Sequence, residues 1–520
     1  MQAQAVAELR VDEVLDALHP SFASSTHSAA TTSPTLLVTG LAASPGAASG
    51  LAAIGSQAVL DLVAAGNQVI LIATETTPAD VAAMGLSAGI VTARGGLASH
   101  AAVVARGWGI PAVCDAREVI VEDEGFWVGD VHIANGTPIS LDGSTGEVML
   151  GDREVTSAAP GELLSTAISE VLGWADRIAA GRMAVLANAD TAADALTARR
   201  LGAQGVGLCR TEHMFLEPGR LEIVQRAILS GKDMSSTRAD LDDLVAAQRD
   251  DFSTLLEAMD GLCVTVRLLD APMHEFLAGA ADAGAAQQWR EHNPMLGVRG
   301  VRLGLLRPEI YAAQVQALAG AVSDRLAAGG DPRVEVMVPL VSTASELTAA
   351  AAAVRSAWSE TLEALGLSGA PTAVAPPRIG TMIETPRACL VADRLASTAE
   401  FVSFGTNDLT QLAFGFSRDD VQSRVIEPYV ARGLLESDPF ATIDRDGVGE
   451  LIATTLRRAK SVRPELRSGI CGEHGGDPES ISFAVEAGLD YVSCSPYRVP
   501  VARLAAAQAV LRGEAALRGE

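Results

Sequence analysis

The chain has 520 residues and a formal charge of −25, which is too long for one ordinary domain and leaves core material for two or three. That acidity repels nucleic acid and anionic lipid, so an anionic substrate must be held by a few placed arginines rather than by a basic face. Six cysteines, Cys114, Cys209, Cys263, Cys389, Cys471 and Cys494, lie scattered without CxxC spacing, which argues against a disulfide scaffold or a zinc cluster and fits reduced thiols in a cytoplasmic protein.

The opening "MQAQAVAELRVDEVLDALHP" is acidic and lacks the basic and apolar regions of a signal peptide. It predicts one short amphipathic helix with Val6, Leu9, Val14 and Leu18 on a rough face, closed by Pro20. "SFASSTHSAATTSP" then has the composition of a flexible tether, so residues 1–35 are expected to be helix plus tether. Residues 24–60 are uncharged, but Pro34, Pro45 and many Gly, Ser and Thr residues break them up, and no membrane span is expected.

From 36 to 151, short β-like runs ("TLLVTG", "QVILIAT", "AGIVTARG") alternate with turns and end in "GTPISLDGSTGEVML", where "DGSTG" is a turn between two strands. This predicts a β/α domain. Residues 152–180 are alanine-rich and predict a helical linker.

Over 181–520, apolar runs recur at "MAVLANA", "GVGLCR", "VTVRLLD", "VEVMVPLV", "RIGTMIET", "FVSFGTN", "RSGICGE" and "DYVSCSP", with helix-compatible sequence in most of the gaps. Eight such strands are what a (β/α)8 barrel requires, and near-continuous apolar runs suit parallel strands buried on both faces. The predicted fold class is therefore α/β: a small β/α domain followed by a TIM barrel.

Polar residues fall where these runs end, on the face where barrel enzymes keep their chemistry. Arg210 in "LCRTEH" and Arg267 in "TVRLLD" are fork-shaped cations able to hold phosphate or carboxylate bidentately. For either alone, a salt bridge to a neighbouring acid is the plain reading; two on one barrel point to an anion. Glu384 in "TMIETP" and Asp408 in "GTNDLT" could together hold one Mg2+, with helix capping as the alternative for Asp408. Gly405 and Thr406 would offer backbone N–H groups to an anion, with Asn407 beside them. Cys471 in "GICGEHGGDP" sits among glycines; it is either an inert buried hydrophobe or a neutral thiol that donates a proton to carbon.

His100 stands behind Gly95, Gly96 and Ser99 in "GGLASHAAVVARGWG". Ser99 is a good N-cap, and a phosphoryl group on the imidazole would meet the positive end of a helix. A satisfied core or surface histidine is the alternative. Two preceding glycines in a separate small domain favour a mobile phosphocarrier.

Taken together, "ASPGAASG", "TARGG", "GLCRTEHMF", "VRLLDAPMHEF", "NPMLGVRG", "GTMIETPRA", "FVSFGTNDLTQLAFGFSRDD" and "GICGEHGGDP" resemble the pyruvate, phosphate dikinase family of phosphoenolpyruvate (PEP)-utilising enzymes. The resemblance covers nearly the whole chain. It implies a phosphohistidine domain that swivels and a barrel that binds PEP and pyruvate, with His100 phosphorylated and Cys471 exchanging a proton with the methyl carbon of pyruvate. Arg210 and Arg267 would clamp phosphate and carboxylate, Glu384 and Asp408 would hold Mg2+, and Gly405, Thr406 and Asn407 would complete the pocket. It also implies a barrel-mediated homodimer.

Two departures stand out. The family's motif usually reads Gly-Gly-Met-Thr-Ser-His, whereas Leu97 and Ala98 precede Ser99 here, so the threonine used for regulation in some dikinases is missing. The chain also starts where the family's ATP-grasp domain would end, and no GxxxxGK[ST] loop replaces it. The expectation is a PEP-dependent phosphotransferase half, moving phosphate reversibly between PEP and His100 and relaying it to a separate ATP-grasp subunit. The alternatives are an Enzyme I-like component of a phosphotransferase system and a non-catalytic PEP-binding regulator.

Overall fold

The computed structural model describes all residues except 19, 23–34, 77–79, 97–98, 157–165, 216–219, 230–233, 271–290, 368–374 and 519–520. Residues 23–34 of the expected tether and 157–165 of the expected helical linker therefore lie outside the described residues; the described start of each is extended, Ser21–Phe22 pairing antiparallel with Val155–Thr156. The rest forms two units: Met1–Ala175 with Arg418–Asp438, and Asp176–Ser417 with Pro439–Glu520. Residues 418–438, which the sequence reading placed with the barrel, pack in the first unit.

The N-terminal amphipathic segment is two helices, Gln2–Glu8 and Val11–Leu18, rather than one. Leu9 is extended at φ −64°, ψ 127°, and the Arg10 N–H is donated to the Glu13 carboxylate at 2.9 Å, which starts the second helix with a side-chain acceptor in place of the preceding turn. Val6 and Val14 are buried as the amphipathic pattern expects.

In the first unit an eight-stranded sheet runs in the order Thr35–Thr39, Glu147–Leu150, Pro138–Asp142, Ala47–Ile54, Val69–Ala73, Gly89–Thr92, Ala112–Cys114, Leu41–Ser44. Its middle is parallel, from Ala47–Ile54 to Ala112–Cys114. Because both faces are covered, "VILIA" needs no polar alternation: Ile70 and Ile72 pack into one core with Val91, Phe126 and Leu141. Val69 and Leu71 pack into the other with Val59, Met84 and Ala102. The expected "DGSTG" turn joins two antiparallel strands; the Asp142 carboxylate accepts from the N–H groups of Ser144 and Thr145, and Gly146 has φ +80°, a conformation glycine adopts without a Cβ penalty.

The second unit holds a closed barrel of eight parallel strands, paired in chain order with the last returning to the first. The strands are Ala184–Asn188, Gly205–Arg210, Cys263–Arg267, Arg333–Val338, Arg378–Ile383, Phe401–Phe404, Arg467–Ile470 and Tyr491–Cys494. Each coincides with one of the eight apolar runs read from the sequence, the third and fourth starting one residue earlier, at Cys263 and Arg333, and helices such as Pro308–Ala327 and Ala344–Ala364 fill the gaps. The latter starts on a capping box between Thr343 and Glu346. Among the described residues no helix is long and apolar enough to cross a membrane.

At the N-terminal end of the barrel the buried carboxylate of Glu335 accepts from Arg378, Arg467 and the Thr265 hydroxyl. Arg378 comes from the adjoining fifth strand and Arg467 from the seventh, so two cations meet one acid. The arginines reach solvent, so removing the acid costs less than in a fully sealed pair. Glu335→Leu is expected to lower barrel stability by about 2 kcal/mol, read as a lower urea midpoint; an unchanged midpoint would show that the two arginines need no partner.

Candidate active site

At the C-terminal end of the barrel, the third strand ends in Arg267, whose guanidinium lies 3.2 Å from Glu212 and 3.5 Å from Asp270. Asp270 then takes a bidentate pair from Arg299, both contacts at 2.8 Å, and Arg299 reaches on to Asp408 at 3.3 Å. All of these are buried except Asp408, which is partly exposed. Burial alone would push the Asp270 carboxyl up, but the adjoining Arg299 and Arg267 outweigh it and hold it below the ordinary carboxylate range.

Glu384, one residue past the fifth strand, is in the opposite position. One oxygen accepts the Leu340 N–H at 2.5 Å. The other is buried with no hydrogen-bond partner. Burial first, then the neighbouring Asp270 and Asp408, push this carboxyl well up, against the pull of Arg267 and Arg299. Leu340 has φ +55°, an uncommon conformation for a bulky side chain, and that residue's N–H is the one aimed at Glu384.

One ligand atom each from Asp270, Glu384 and Asp408 lies within 4.8 Å of the others. This arrangement fits a divalent cation on three counts. The donors are hard carboxylate oxygens, one is an orphaned buried oxygen, and a cation would relieve the mutual repulsion that drives Glu384 toward its neutral form. Room is kept by Gly405, where a Cβ would sit 2.8 Å from the Glu384 Oε2.

The sixth strand feeds the helix Thr406–Phe414 through Gly405. The Gly405 N–H is already donated to the Ile383 carbonyl at 3.1 Å, which corrects the expectation that it would serve an anion: the strand ladder runs one residue further than the apolar pattern shows. Asp408 lies in the first turn of this helix and not at its N-cap, which is Gly405, and it faces Arg299. The Thr406 hydroxyl is 2.8 Å from Nδ1 of the buried His474, whose Nε2 lies 2.9 Å from the Pro439 carbonyl. Because a carbonyl only accepts, Nε2 carries the hydrogen, and in the neutral ring Nδ1 accepts from Thr406. The Asn407 side-chain oxygen accepts the Glu473 N–H at 3.2 Å.

Cys471 follows the seventh strand and is 1% exposed, packed with Leu208, Met337, Met382 and Phe401. Its thiol lies 3.6 Å from the Phe404 carbonyl. Burial pushes it up to about 11, so it keeps its proton at neutral pH. Arg210 is more open, with 31% of its side chain exposed and a 4.0 Å approach to Asp190.

The structure therefore brings Arg267, Glu384, Gly405, Thr406, Asn407, Asp408 and Cys471 to one end of one barrel, with Arg210 closing its strand at the same end. Asp270 and Arg299 were missed. Asp270 stands three residues past Arg267 in "VRLLD", a signal the strand end carried. Arg299 lies in "GVRG", beyond the strand that precedes it, and nothing in its local pattern marks it as barrel-facing.

In the first unit, His100 opens the helix His100–Trp108, capped by Ser99, whose hydroxyl accepts the Ala102 N–H at 3.4 Å. Gly95 has φ +114°, and a Cβ there would lie 2.9 Å from the Ser99 side chain; glycine is needed to set the cap. The expected N-cap and helix are present, while the imidazole of His100, Leu97 and Ala98 lie outside what the structure describes.

The family model described as the PEP-utilising enzyme, PEP-binding domain matches residues 173–511, and that of the PEP-utilising enzyme, mobile domain matches residues 65–146. Pyruvate, phosphate dikinase 1, chloroplastic, of Arabidopsis thaliana is 44% identical over 514 residues, covering 95% of this chain and 52% of that protein. Pyruvate, phosphate dikinase, chloroplastic, of Mesembryanthemum crystallinum is 46% identical over 496 residues, covering 91% of this chain and 51% of that protein. The chain thus spans about half the length of these relatives. With the PEP-binding model running through the whole barrel, from before its first strand to its last helix, the chain belongs to the PEP-utilising enzyme family.

Proposed function

We propose that the chain carries the PEP and pyruvate half-reaction of a dikinase-like phosphotransferase. The observation that carries this reading is the set of two buried arginines, three converging carboxylates and one protonated thiol at the C-terminal mouth of the barrel. Arg210 and Arg267 hold the phosphate and carboxylate of PEP, with Arg299 fixing Asp270 and Asp408. Gly405, Thr406 and Asn407 shape the pocket. An unprotonated nitrogen of His100 attacks phosphorus, the bond from phosphorus to the enol oxygen breaks, and the enolate methylene carbon takes the proton of Cys471, giving pyruvate. Water restores the thiol proton. Glu384, Asp408 and Asp270 would hold Mg2+, which offsets negative charge on phosphoryl and enolate oxygens. The reverse direction uses the same groups.

The domain bounds that go with this reading are 36–151 for the phosphohistidine domain, 152–180 for the linker and 181–520 for the barrel, apart from residues 418–438, which pack in the first unit. Phosphate then passes to an ATP-grasp nucleotide-binding subunit in a separate chain, and the barrel pairs with a second copy. The similarity to dikinases supports the nucleotide-linked acceptor.

Intact-mass spectrometry after mixing the chain with PEP and Mg2+, with pyruvate assayed in parallel, tests the half-reaction. One acid-labile phosphate per chain and about one pyruvate, both lost in His100→Ala, is the expected result. Neither product from the wild-type chain under saturating PEP would overturn it.

A further inference from the structure

The family resemblance leaves one group at the barrel mouth without a role. Asp190, two residues past the first barrel strand, is almost buried, with 11% of its side chain exposed. One of its oxygens accepts the backbone N–H of Arg210 at 2.6 Å, and the other lies 2.7 Å from Nδ1 of His213. His213 belongs to the short helix Glu212–Phe215 that follows the second strand, and 59% of its side chain is exposed. A single carboxylate therefore ties the backbone of Arg210 to a solvent-accessible imidazole, while the 4.0 Å approach of the Arg210 guanidinium to Asp190 leaves Arg210 available to a ligand.

We propose that Asp190 and His213 form a proton-sensitive clamp that positions Arg210 and adds a second cation for the phosphate of PEP. This rests on the reading of Arg210 as a phosphate-holding residue. A carboxylate receiving Nδ1–H fixes the ring so that Nε2 points away from Asp190. In the imidazolium that nitrogen is a donor, suited to a phosphate oxygen; in the neutral ring it is an acceptor and repels one. Asp190 is the positioning residue, acting through Arg210 and His213, and His213 is a phosphate-binding residue whose proton none of the reacting bonds needs.

The charged groups around the ring are Asp190 from the first-strand loop, Arg210 from the second strand and Glu212 on its own helix; Asp194 faces Asp190 from the next helix. The hydrogen bond that the ring donates to Asp190 raises the imidazole above its ordinary value, against burial and Arg210. Burial would push Asp190 up, but His213 and Arg210 outweigh it and hold it down. The sign follows: the protonated clamp is complete in acid and is lost as pH rises through the raised imidazole value.

The test is calorimetric titration of PEP, with saturating Mg2+, between pH 5.5 and 8.5 into chains that all carry His100→Ala so that PEP is bound but not consumed: one wild-type at 190 and 213, one with His213→Asn and one with Asp190→Asn. Asparagine keeps a donor near the Nδ1 position but cannot titrate. The ratio of the variant's dissociation constant to the wild type's is expected to grow about fivefold from pH 8.5 to 5.5. Taking the ratio at each pH cancels the titration of the PEP phosphate itself, and a purely structural histidine would leave it flat. Asp190→Asn should move the pH step toward acid, because the imidazolium loses its carboxylate. A ratio constant within twofold overturns the clamp alone. A wild-type chain that binds no PEP at any pH overturns the substrate reading as well.

Discussion

Arg299→Met lowers the single-turnover rate of pyruvate release from PEP by about a thousandfold or more. Arg299 is the shared partner of Asp270 and Asp408, at 2.8 and 3.3 Å, and it is buried with Asp270. Methionine fills much of the volume but leaves two carboxylates facing each other and Glu384, with Arg267 and Arg302 left to balance Asp270. Breaking a buried pair by removing one partner costs about 3–5 kcal/mol. Part of that is relieved when Asp270 or Asp408 takes up a proton, and a protonated carboxyl is no longer a cation ligand. The variant should therefore lose activity even where it stays folded. Pairing it with Asp270→Asn tests the cause: if the loss comes from an uncompensated carboxylate, the double variant loses less than the sum of the two. Activity within tenfold of wild type in folded Arg299→Met would remove Arg299 from the site.

Cys471→Ala is expected to reduce pyruvate release by about 100-fold to 10,000-fold, the range of a lost general acid, while His100 is still labelled by PEP. The two steps separate because phosphoryl transfer breaks the oxygen bond and only the following step delivers a proton to carbon. Burial holds the thiol at about 11. A group that works in its protonated form and whose value is raised stays competent throughout neutral pH and fails only as pH approaches that value. Cys471→Ser, with a hydroxyl that is a far weaker acid, should restore shape without restoring rate. The measurement is deuterium uptake into the pyruvate methyl group in D2O, run beside phosphohistidine mass analysis. Wild-type deuterium uptake in Cys471→Ala would show that water reaches the enolate unaided.

The barrel was legible because its strands are buried on both sides. Runs such as "VEVMVPLV" and "FVSFGTN" carry no polar alternation, and eight of them spaced by helical sequence leave little choice of architecture. Residues closing those runs were legible for the same reason: Arg210, Arg267, Glu384 and Cys471 are fixed to the barrel mouth once the strand is. The N-terminal amphipathic segment was misread as one helix because Val6, Leu9, Val14 and Leu18 keep an approximate period across Leu9, and periodicity does not register one extended residue. Leu41–Ser44, Ala47–Ile54 and Ala112–Cys114 escaped notice because alanine-rich strands look like neither apolar runs nor alternation.

Local pattern could also name Ser99 as a cap, since the N-cap preference acts over three residues. By itself, then, the sequence determined the order of elements, the barrel, the helix that begins at His100 and the side chains that end each strand, all of which leave a signature in a short stretch of residues even where, as in the barrel, the pairing is long-range. Tertiary structure alone decided that Asp270 and Arg299, 29 positions apart, form one bidentate pair. It also decided that Glu384 keeps an unpartnered buried oxygen between two other carboxylates, and that Asp190 joins Arg210 to His213. Charge pairing at a distance carries no period and no local signature; it appears only when the strands close and burial makes each unpaired charge costly enough to need a partner.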